Sequence, residues 1–281
     1  MEQATVLRRR ESGILSLTWP IFIELLLQML VGNADQVMVG HFDPNGVGAI
    51  GNANQITNLV LLVFSVVSTA STILISRYLG ADDKRRVNET YTLSLLVNGI
   101  FGLAVGALLM VLCGPAFTLM QVPAEIFDKS CLYLRIIGGG MVFQAIYLTF
   151  TAFFRSNQMM KESMIVAVVM NLLNIGGNAV LIGGAFGLPA LGVAGAALSS
   201  DISRAVGVLL IVLLFRRKFG PVLSWKLLRP FPVDQLRLLL RIGIPAGGES
   251  ISYNLSQVAI QSPIPACSID HDPLMCTPLE L

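Results

Sequence analysis

Long stretches without a single Asp, Glu, Lys or Arg constrain the fold of this chain more than any motif does. They are 33, 35, 19 and 38 residues long, at 44–76, 90–124, 136–154 and 163–200. A helix crosses a bilayer with about 20 apolar residues. Charged residues make up only 13% of the 281 residues, whereas soluble domains carry about 25%. This composition excludes a water-soluble globule, and its high apolar content excludes intrinsic disorder.

Continuous apolar runs of this length predict helices, because the strands of a membrane β-barrel are short and alternate in polarity. We therefore expect an all-α polytopic membrane protein in which six spanning helices form a lobe and a partial seventh helix follows. The predicted helices are 14–40, 50–79, 90–119, 126–155, 161–182, 191–215 and 234–260.

Basic residues are confined almost entirely to alternate segments between these helices. They are Arg8, Arg9, Arg10, Arg77, Lys84, Arg85, Arg86, Arg155, Lys161, Arg216, Arg217, Lys218, Lys226 and Arg229. The intervening segments 41–49 and 183–190 have none, and 114–129 has only Lys129. Lys and Arg collect in cytoplasmic loops. The N-terminus and the segment after the sixth helix are therefore predicted to be cytoplasmic, in a multi-pass protein of the plasma (inner) membrane.

A proline followed four residues later by a glutamate occurs early in both the first and the seventh helix. The pairs are Pro20 with Glu24 and Pro245 with Glu249. Glutamate is costly inside a membrane, so both are candidates for a functional interior. Many carriers consist of two repeated units, and we interpret the second pair as the start of such a unit. Coincidence in a Pro- and Gly-rich chain is the alternative.

The composition changes after residue 260. Residues 261–281 contain four prolines and two cysteines but no Lys, Arg or Gly. A helix is not expected to continue through this segment, which we interpret as the end of a truncated or frame-shifted product; a natural short tail is the alternative. The sequence thus divides into a cytoplasmic N-terminus (1–13), a six-helix lobe (14–216), a basic linker (217–241), a partial seventh helix (242–260) and an aberrant tail (261–281).

Polar residues inside the predicted spans are the candidates for function. Asp35 lies deep in the first helix, where a charge usually serves an ion or a substrate. Asn171, Asn174 and Asn178 share one face of the fifth helix, and their amide oxygens suit a hard cation. Ser200 in the sixth helix can add a ligand. The alternative for each is a structural hydrogen bond between helices.

Other chemistry has little support in the sequence. Its two histidines, His41 and His271, lie far apart, and it contains no Gly-Lys-Ser/Thr phosphate loop, so we expect neither an enzyme nor a bound cofactor. The net charge of +2 gives no basis for nucleic-acid binding. Asp201 and Arg204 are three residues apart and are expected to neutralise each other as a structural pair.

Taken together, several short motifs resemble the multidrug and toxic compound extrusion (MATE) transporters, in order and spacing, over about residues 10–260. The motifs are Trp19-Pro20, Asp35-x3-Val39-Gly40, ISRYLGA at 75–81, FFRS at 153–156, Asn174-x3-Asn178, GVAGAA at 192–197 and GIPAGGE at 243–249.

The resemblance implies a twelve-helix carrier of two lobes that exports small organic, often cationic, compounds by antiport with Na⁺ or H⁺. It implies that Asp35 is the ion-coupling carboxylate and that Asn174, Asn178 and Ser200 adjoin it. Na⁺ would then bind at Asp35, Asn174 and Asn178, and no other metal is expected. Many members have Asp in place of Asn178 and Thr in place of Ser200. Glu249 matches an acidic position of the second lobe in some branches.

Two other functions remain open at this point. A lipid-linked or polysaccharide exporter of the related flippase type should have a more cationic cavity, for which only Arg204 is a candidate. A membrane-inserted remnant would not transport at all. Because five helices of the second lobe are absent, a working half-carrier would have to pair with a second copy of itself.

Overall fold

In the computed structural model, seven helices follow one another along the chain. They are α1 (Ile14–Phe42), α2 (Pro44–Gly80), α3 (Lys84–Leu119), α4 (Ala124–Ser156), α5 (Met160–Leu181), α6 (Val193–Phe219) and α7 (Val233–Gln261). The structure describes residues 14–184, 189–223 and 232–261, with only the backbone described at 14–18, 25, 28–34, 249–251 and 253–261. The predicted N-terminal segment 1–13, residues 224–231 of the predicted linker and residues 262–281 of the predicted tail 261–281 lie outside these ranges.

The predicted fold class, an all-α chain with a six-helix lobe and a partial seventh helix, is confirmed. Within the described part of the chain, five helices, α2 to α6, are long and apolar enough to cross a membrane. No strand occurs in the same ranges.

Two helices begin six residues earlier than the sequence predicts. Helix α2 starts at Pro44 instead of residue 50, with Asp43 as its N-cap and proline in the first turn. Helix α3 starts at Lys84 instead of residue 90, and the Asp83 side chain accepts a hydrogen bond from the Arg86 backbone N–H at 3.1 Å. Capping residues set where a helix begins, whereas the apolar runs set only where it enters the bilayer.

Helix α4 lies at the centre of the lobe and packs against α2, α3 and α6. In its apolar membrane-spanning stretch 67% of the residues are buried, against 22% for α3. Glycines allow the close approach of these two helices, since a Cβ on Gly106 would lie 2.5 Å from the Gly138 carbonyl oxygen. Helix α3 therefore keeps much of its surface towards the lipid.

Polar side chains connect the spanning helices at buried positions. The Asn98 amide of α3 donates to Thr149 Oγ1 of α4 at 2.8 Å and to Ser68 Oγ of α2 at 3.3 Å. At the opposite end from the α1–α2 turn, the Tyr91 ring packs on Phe153 with centroids 4.7 Å apart. Hydrogen bonds between membrane helices, such as those of Asn98, contribute about 0.6 kcal/mol each.

The one cation of the predicted outer segment 114–129, Lys129, is paired. Its Nζ lies 2.5 Å from the Asp43 carboxylate at the α1–α2 turn. This hydrogen bond is the main reason why the pKa of Asp43 lies below its usual range. The pair ties the α1–α2 turn to the first turns of α4.

Candidate functional site

Asp35 is buried between three helices and accepts hydrogen bonds from two of them. Its side chain is 6% exposed. The Asn178 amide of α5 donates to Oδ1 in a short hydrogen bond, and the Ser200 hydroxyl of α6 donates to Oδ2 at 3.3 Å. A carboxylate withdrawn from water is stabilised only by such partners. The structure therefore brings α1, α5 and α6 together at one acidic group.

The asparagines of α5 lie where their spacing predicts, on one buried face. Asn171, Asn174 and Asn178 are 6%, 3% and 0% exposed. The Asn174 amide donates to Ser200 Oγ at 3.0 Å, and the neighbouring Ser199 hydroxyl donates to the Asn174 backbone carbonyl at 2.8 Å. The contact of α5 with α6 thus orients the polar side chains that adjoin Asp35.

Small residues permit the close approach of α5 and α6. A Cβ on Gly195 of α6 would lie 2.5 Å from the Leu181 carbonyl oxygen of α5, and one on Gly177 would overlap Ser199. Gly195 and Gly177 therefore have a packing role.

The cluster of Asp35, Asn174, Asn178 and Ser200 is rich in oxygen and has one unsatisfied acceptor. Asn178 Oδ1 is buried and has no hydrogen-bond partner among the described residues. Buried polar atoms are rarely left unpaired. Carboxylate, amide and hydroxyl oxygens are the ligands that hard cations prefer, and a carboxylate can also take up a proton. The cluster is therefore suited to bind either a hard cation or a proton.

The surroundings of Asp35 include a charged pair and a tyrosine. Arg204 lies 3.5 Å from Asp201 on α6, as the sequence predicts for a neutralising pair, and its charge also acts on Asp35. Tyr133 of α4 is 3% exposed and lies within the electrostatic influence of Asp35, Asp201 and Arg204. Nothing in the sequence singles out Tyr133, because its position depends on how α4 packs against α6.

Glu24 does not belong to the Asp35 cluster. It lies 11 residues earlier on α1, which is about 16 Å along a helix axis, and it pairs with Arg155 at the end of α4 at 3.1 Å. Its second oxygen, Oε2, is buried without a hydrogen-bond partner among the described residues, as are the hydroxyls of Tyr147 and Thr151. Glu24 thus forms a separate polar contact between α1 and α4. The Glu249 side chain lies outside the described residues.

Comparisons with known proteins agree on one family. The family model MatE matches residues 20–180. The chain is similar to the uncharacterized transporter YisQ of Bacillus subtilis, with 38% identity over 88% of this chain and 54% of that protein. It is also similar to the probable multidrug resistance protein NorM of Thermotoga maritima, with 30% identity over 86% of this chain and 52% of that protein.

Solved structures show the same fold. A crystal structure of MATE in the bent conformation is 22% identical, with a TM-score of 0.80 over 89% of this chain and 55% of that chain. A MOP superfamily transporter from Pyrococcus furiosus is 22% identical, with a TM-score of 0.78 over 88% of this chain and 54% of that chain. The chain thus spans about half the length of the curated relatives that it matches.

Proposed function

This chain belongs to the MATE family of membrane transporters, and from that premise we propose that it forms the N-terminal lobe of a secondary carrier that exports small organic compounds in exchange for Na⁺ or H⁺. The observation that carries the proposal is the buried Asp35 carboxylate with an unsatisfied amide oxygen of Asn178 beside it. Buried acceptors are rarely left unpaired, so Asn178 Oδ1 is available as a ligand for an ion.

In the proposed mechanism, Asp35 changes its effective charge during transport. A bound Na⁺, held by Asp35, Asn174 and Asn178, or a proton on Asp35 removes the negative charge from the bilayer interior, where it is costly. Ser200 keeps the second carboxylate oxygen oriented. A cationic substrate that enters the lobe competes with the ion for the same carboxylate. Binding of one then favours release of the other, which is the requirement for antiport.

We further propose that the N-terminus of the chain is cytoplasmic and that the lobe works together with a second lobe. The basic segments support a cytoplasmic N-terminus in the inner membrane. A site between two lobes requires a second lobe, which a second copy of the chain could supply. A lipid-linked or polysaccharide exporter is not favoured, because Arg204, the cation expected to attract such a substrate, is paired with Asp201.

Binding of radioactive sodium to the purified chain tests the ion site directly. The wild type should bind Na⁺ at alkaline pH and lose it in mild acid as protons compete. Asp35→Asn should weaken Na⁺ binding at least about tenfold, the effect of losing a charged partner. Asn178→Asp should strengthen binding at alkaline pH, because it adds a second carboxylate.

Asp43→Asn provides the matched control, since Asp43 is an aspartate directly after α1 that is paired with Lys129 outside the cluster. It should bind Na⁺ like the wild type. Efflux of a fluorescent organic cation from cells that express each variant then tests transport separately. Equal Na⁺ binding and equal acid sensitivity in Asp35→Asn and the wild type would refute the ion site. Sodium binding without efflux would refute export by this chain on its own.

A further inference from the structure

An apolar groove opens on the side of the lobe formed by α3, α4 and α6. The rings of Tyr91 on α3 and Phe215 on α6 contact each other edge-on, with centroids 5.4 Å apart. Beyond this contact the two helices leave a groove of about 580 Å³, a volume typical of binding sites for small molecules. Helix α4 forms its floor with Val142, Ile146 and Phe150, which are four residues apart and therefore share one helix face.

The groove lies on a surface that faces lipid. Its α3 wall includes Ile100 and Leu103, which are 58% and 62% exposed. The partial seventh helix packs mainly against α2, away from this wall. In a spanning helix, large apolar side chains that are exposed contact hydrocarbon. The depression is thus open to the acyl chains of the bilayer.

The depth of the groove and the basic residue at one end of it match a single leaflet of the bilayer. Its lining on α6 runs from Val208 through Val212 to Arg216, about 12 Å along the helix axis. One leaflet of the hydrocarbon core is about 15 Å deep, half of its total thickness. Arg216, Gly220 and Pro221 line the end at the membrane surface, so an apolar slot of leaflet depth ends at a guanidinium.

Arg216 has no acidic partner within the ranges that the structure describes, whereas Lys218 nearby pairs with Glu162 at 3.2 Å. The following segment 224–231 contains Lys226 and Arg229 but no Asp or Glu. This segment therefore cannot supply the anion that Arg216 lacks. A second copy of the chain in the same membrane orientation would place its own basic segments, Arg216 to Lys218 among them, in the same leaflet.

We propose that this groove is a binding site for an anionic phospholipid of the leaflet next to the C-terminal end of α6, with one acyl chain in the slot and the phosphate on Arg216. Basic residues between transmembrane helices at the cytoplasmic side are a common way to bind acidic headgroups. The basic segments predict that this leaflet is the cytoplasmic one. The site is separate from the Asp35 cluster and does not depend on ion coupling.

Native mass spectrometry of the purified chain with phosphatidylglycerol or phosphatidylcholine of identical acyl chains tests the proposal. The wild type should retain phosphatidylglycerol about fivefold more tightly, the effect of one basic residue on an anionic headgroup. Arg216→Gln should abolish this preference. Gly99→Leu should weaken retention of both lipids, because Gly99 lines the groove and its Cβ would meet nothing within 4 Å.

Two matched controls accompany these variants. Arg217→Gln removes an equally basic neighbour that does not line the groove, and Gly176→Leu adds the same bulk at an open position on α5. Both should retain lipid like the wild type. Arg216 is exposed, so its variant should fold normally, which gel filtration checks.

Three results would overturn the proposal. They are an undiminished phosphatidylglycerol preference in Arg216→Gln, unchanged lipid retention in Gly99→Leu, and a dimer that Gly99→Leu dissociates. The last result would assign the groove to a second copy of the chain.

Discussion

Two adjacent glycines in the middle of α4 have opposite surroundings. A Cβ on Gly140 would overlap the carboxylate of Asp201, whose Oδ2 would lie 2.6 Å away, whereas a Cβ on Gly139 would meet nothing within 4 Å. Gly140 therefore makes the space in which Asp201 approaches α4 while it pairs with Arg204. Adding one methyl group at Gly140 is therefore expected to disturb the packing of α6 against α4.

Gly140→Ala should lower the thermal unfolding temperature of the detergent-solubilised chain. Overpacking of this kind costs about 1 to 3 kcal/mol. Gly139→Ala is the control and should raise the unfolding temperature, because alanine in an open helical position gains up to about 1 kcal/mol over glycine. Equal shifts in the two variants would show that Asp201 does not occupy this space.

The pair of Glu24 and Arg155 allows a double-mutant cycle. Arg155→Met leaves Glu24, whose side chain is 3% exposed, without its cation. The expected loss of stability is about 2 to 3 kcal/mol, less than for a wholly buried pair because Arg155 is partly exposed. Adding Glu24→Gln to Arg155→Met should recover part of the loss.

The pair of Arg86 and Asp83, whose side chains are 57% and 38% exposed, is the control for this cycle. Arg85 is less suitable, because its partner Glu89 is only 14% exposed. Arg86→Met should change stability by less than about 0.5 kcal/mol, as is usual for surface pairs. If the double variant of Glu24 and Arg155 were no more stable than Arg155→Met, the two side chains would not be coupled.

Among the elements, α7 is held to the lobe by glycines that face α2. A Cβ on Gly243 would lie 2.9 Å from Val66 Cγ1 and 3.0 Å from the Val66 carbonyl oxygen, and one on Gly247 would overlap the Val66 side chain. The hydroxyl of Tyr78 at the end of α2 also donates to Gln235 of α7 at 3.0 Å. Helix α7 is thus docked on the six-helix lobe.

Gly243→Leu should undock α7, because the added side chain meets α2 backbone that cannot move aside. Hydrogen–deuterium exchange should then rise at least about tenfold along α7 if docking loses about 1.4 kcal/mol. Gly248→Leu adds the same side chain where a Cβ meets nothing within 4 Å, and it should leave exchange unchanged. Unchanged exchange in both variants would mean that α7 does not depend on this contact.

The sequence predicts elements better than it predicts contacts between them. The sequence predicts all seven helices, and the spacing of Asn174 and Asn178 identifies a polar face that is indeed buried. The starts of α2 and α3 are placed too late, because hydropathy cannot detect a helix that continues beyond the bilayer. Asp35 and Ser200 are 165 residues apart, and no local pattern indicates that they meet. The sequence does not identify Arg155 as the partner of Glu24 for the same reason.

For the whole molecule, the turn residues Gln121 and Gln158 form a matched pair of topology probes. Both are exposed, and both have left-handed backbones, with φ of 54° and 58°. Gln121 lies in the predicted outer segment and Gln158 in a predicted cytoplasmic one. Cysteine at either position bears the same backbone strain, so reactivity should depend only on the side of the membrane.

In a background without the four native cysteines, a membrane-impermeant maleimide added to intact cells should label Gln121→Cys. Gln158→Cys should react only after the membrane is permeabilised. The reverse pattern would place the N-terminus outside and refute the orientation that the basic segments predict.

The long separation between Asp35 and its partners has a consequence for biosynthesis. Asn178 and Ser200 follow Asp35 by 143 and 165 residues. At a translation rate of about 5 to 20 residues per second, α1 is synthesised about 7 to 33 s before its hydrogen-bond donors exist. During that interval the carboxyl must stay with the insertion machinery, at the interface or protonated. Correct assembly of this lobe therefore depends on how long α1 is kept from the lipid.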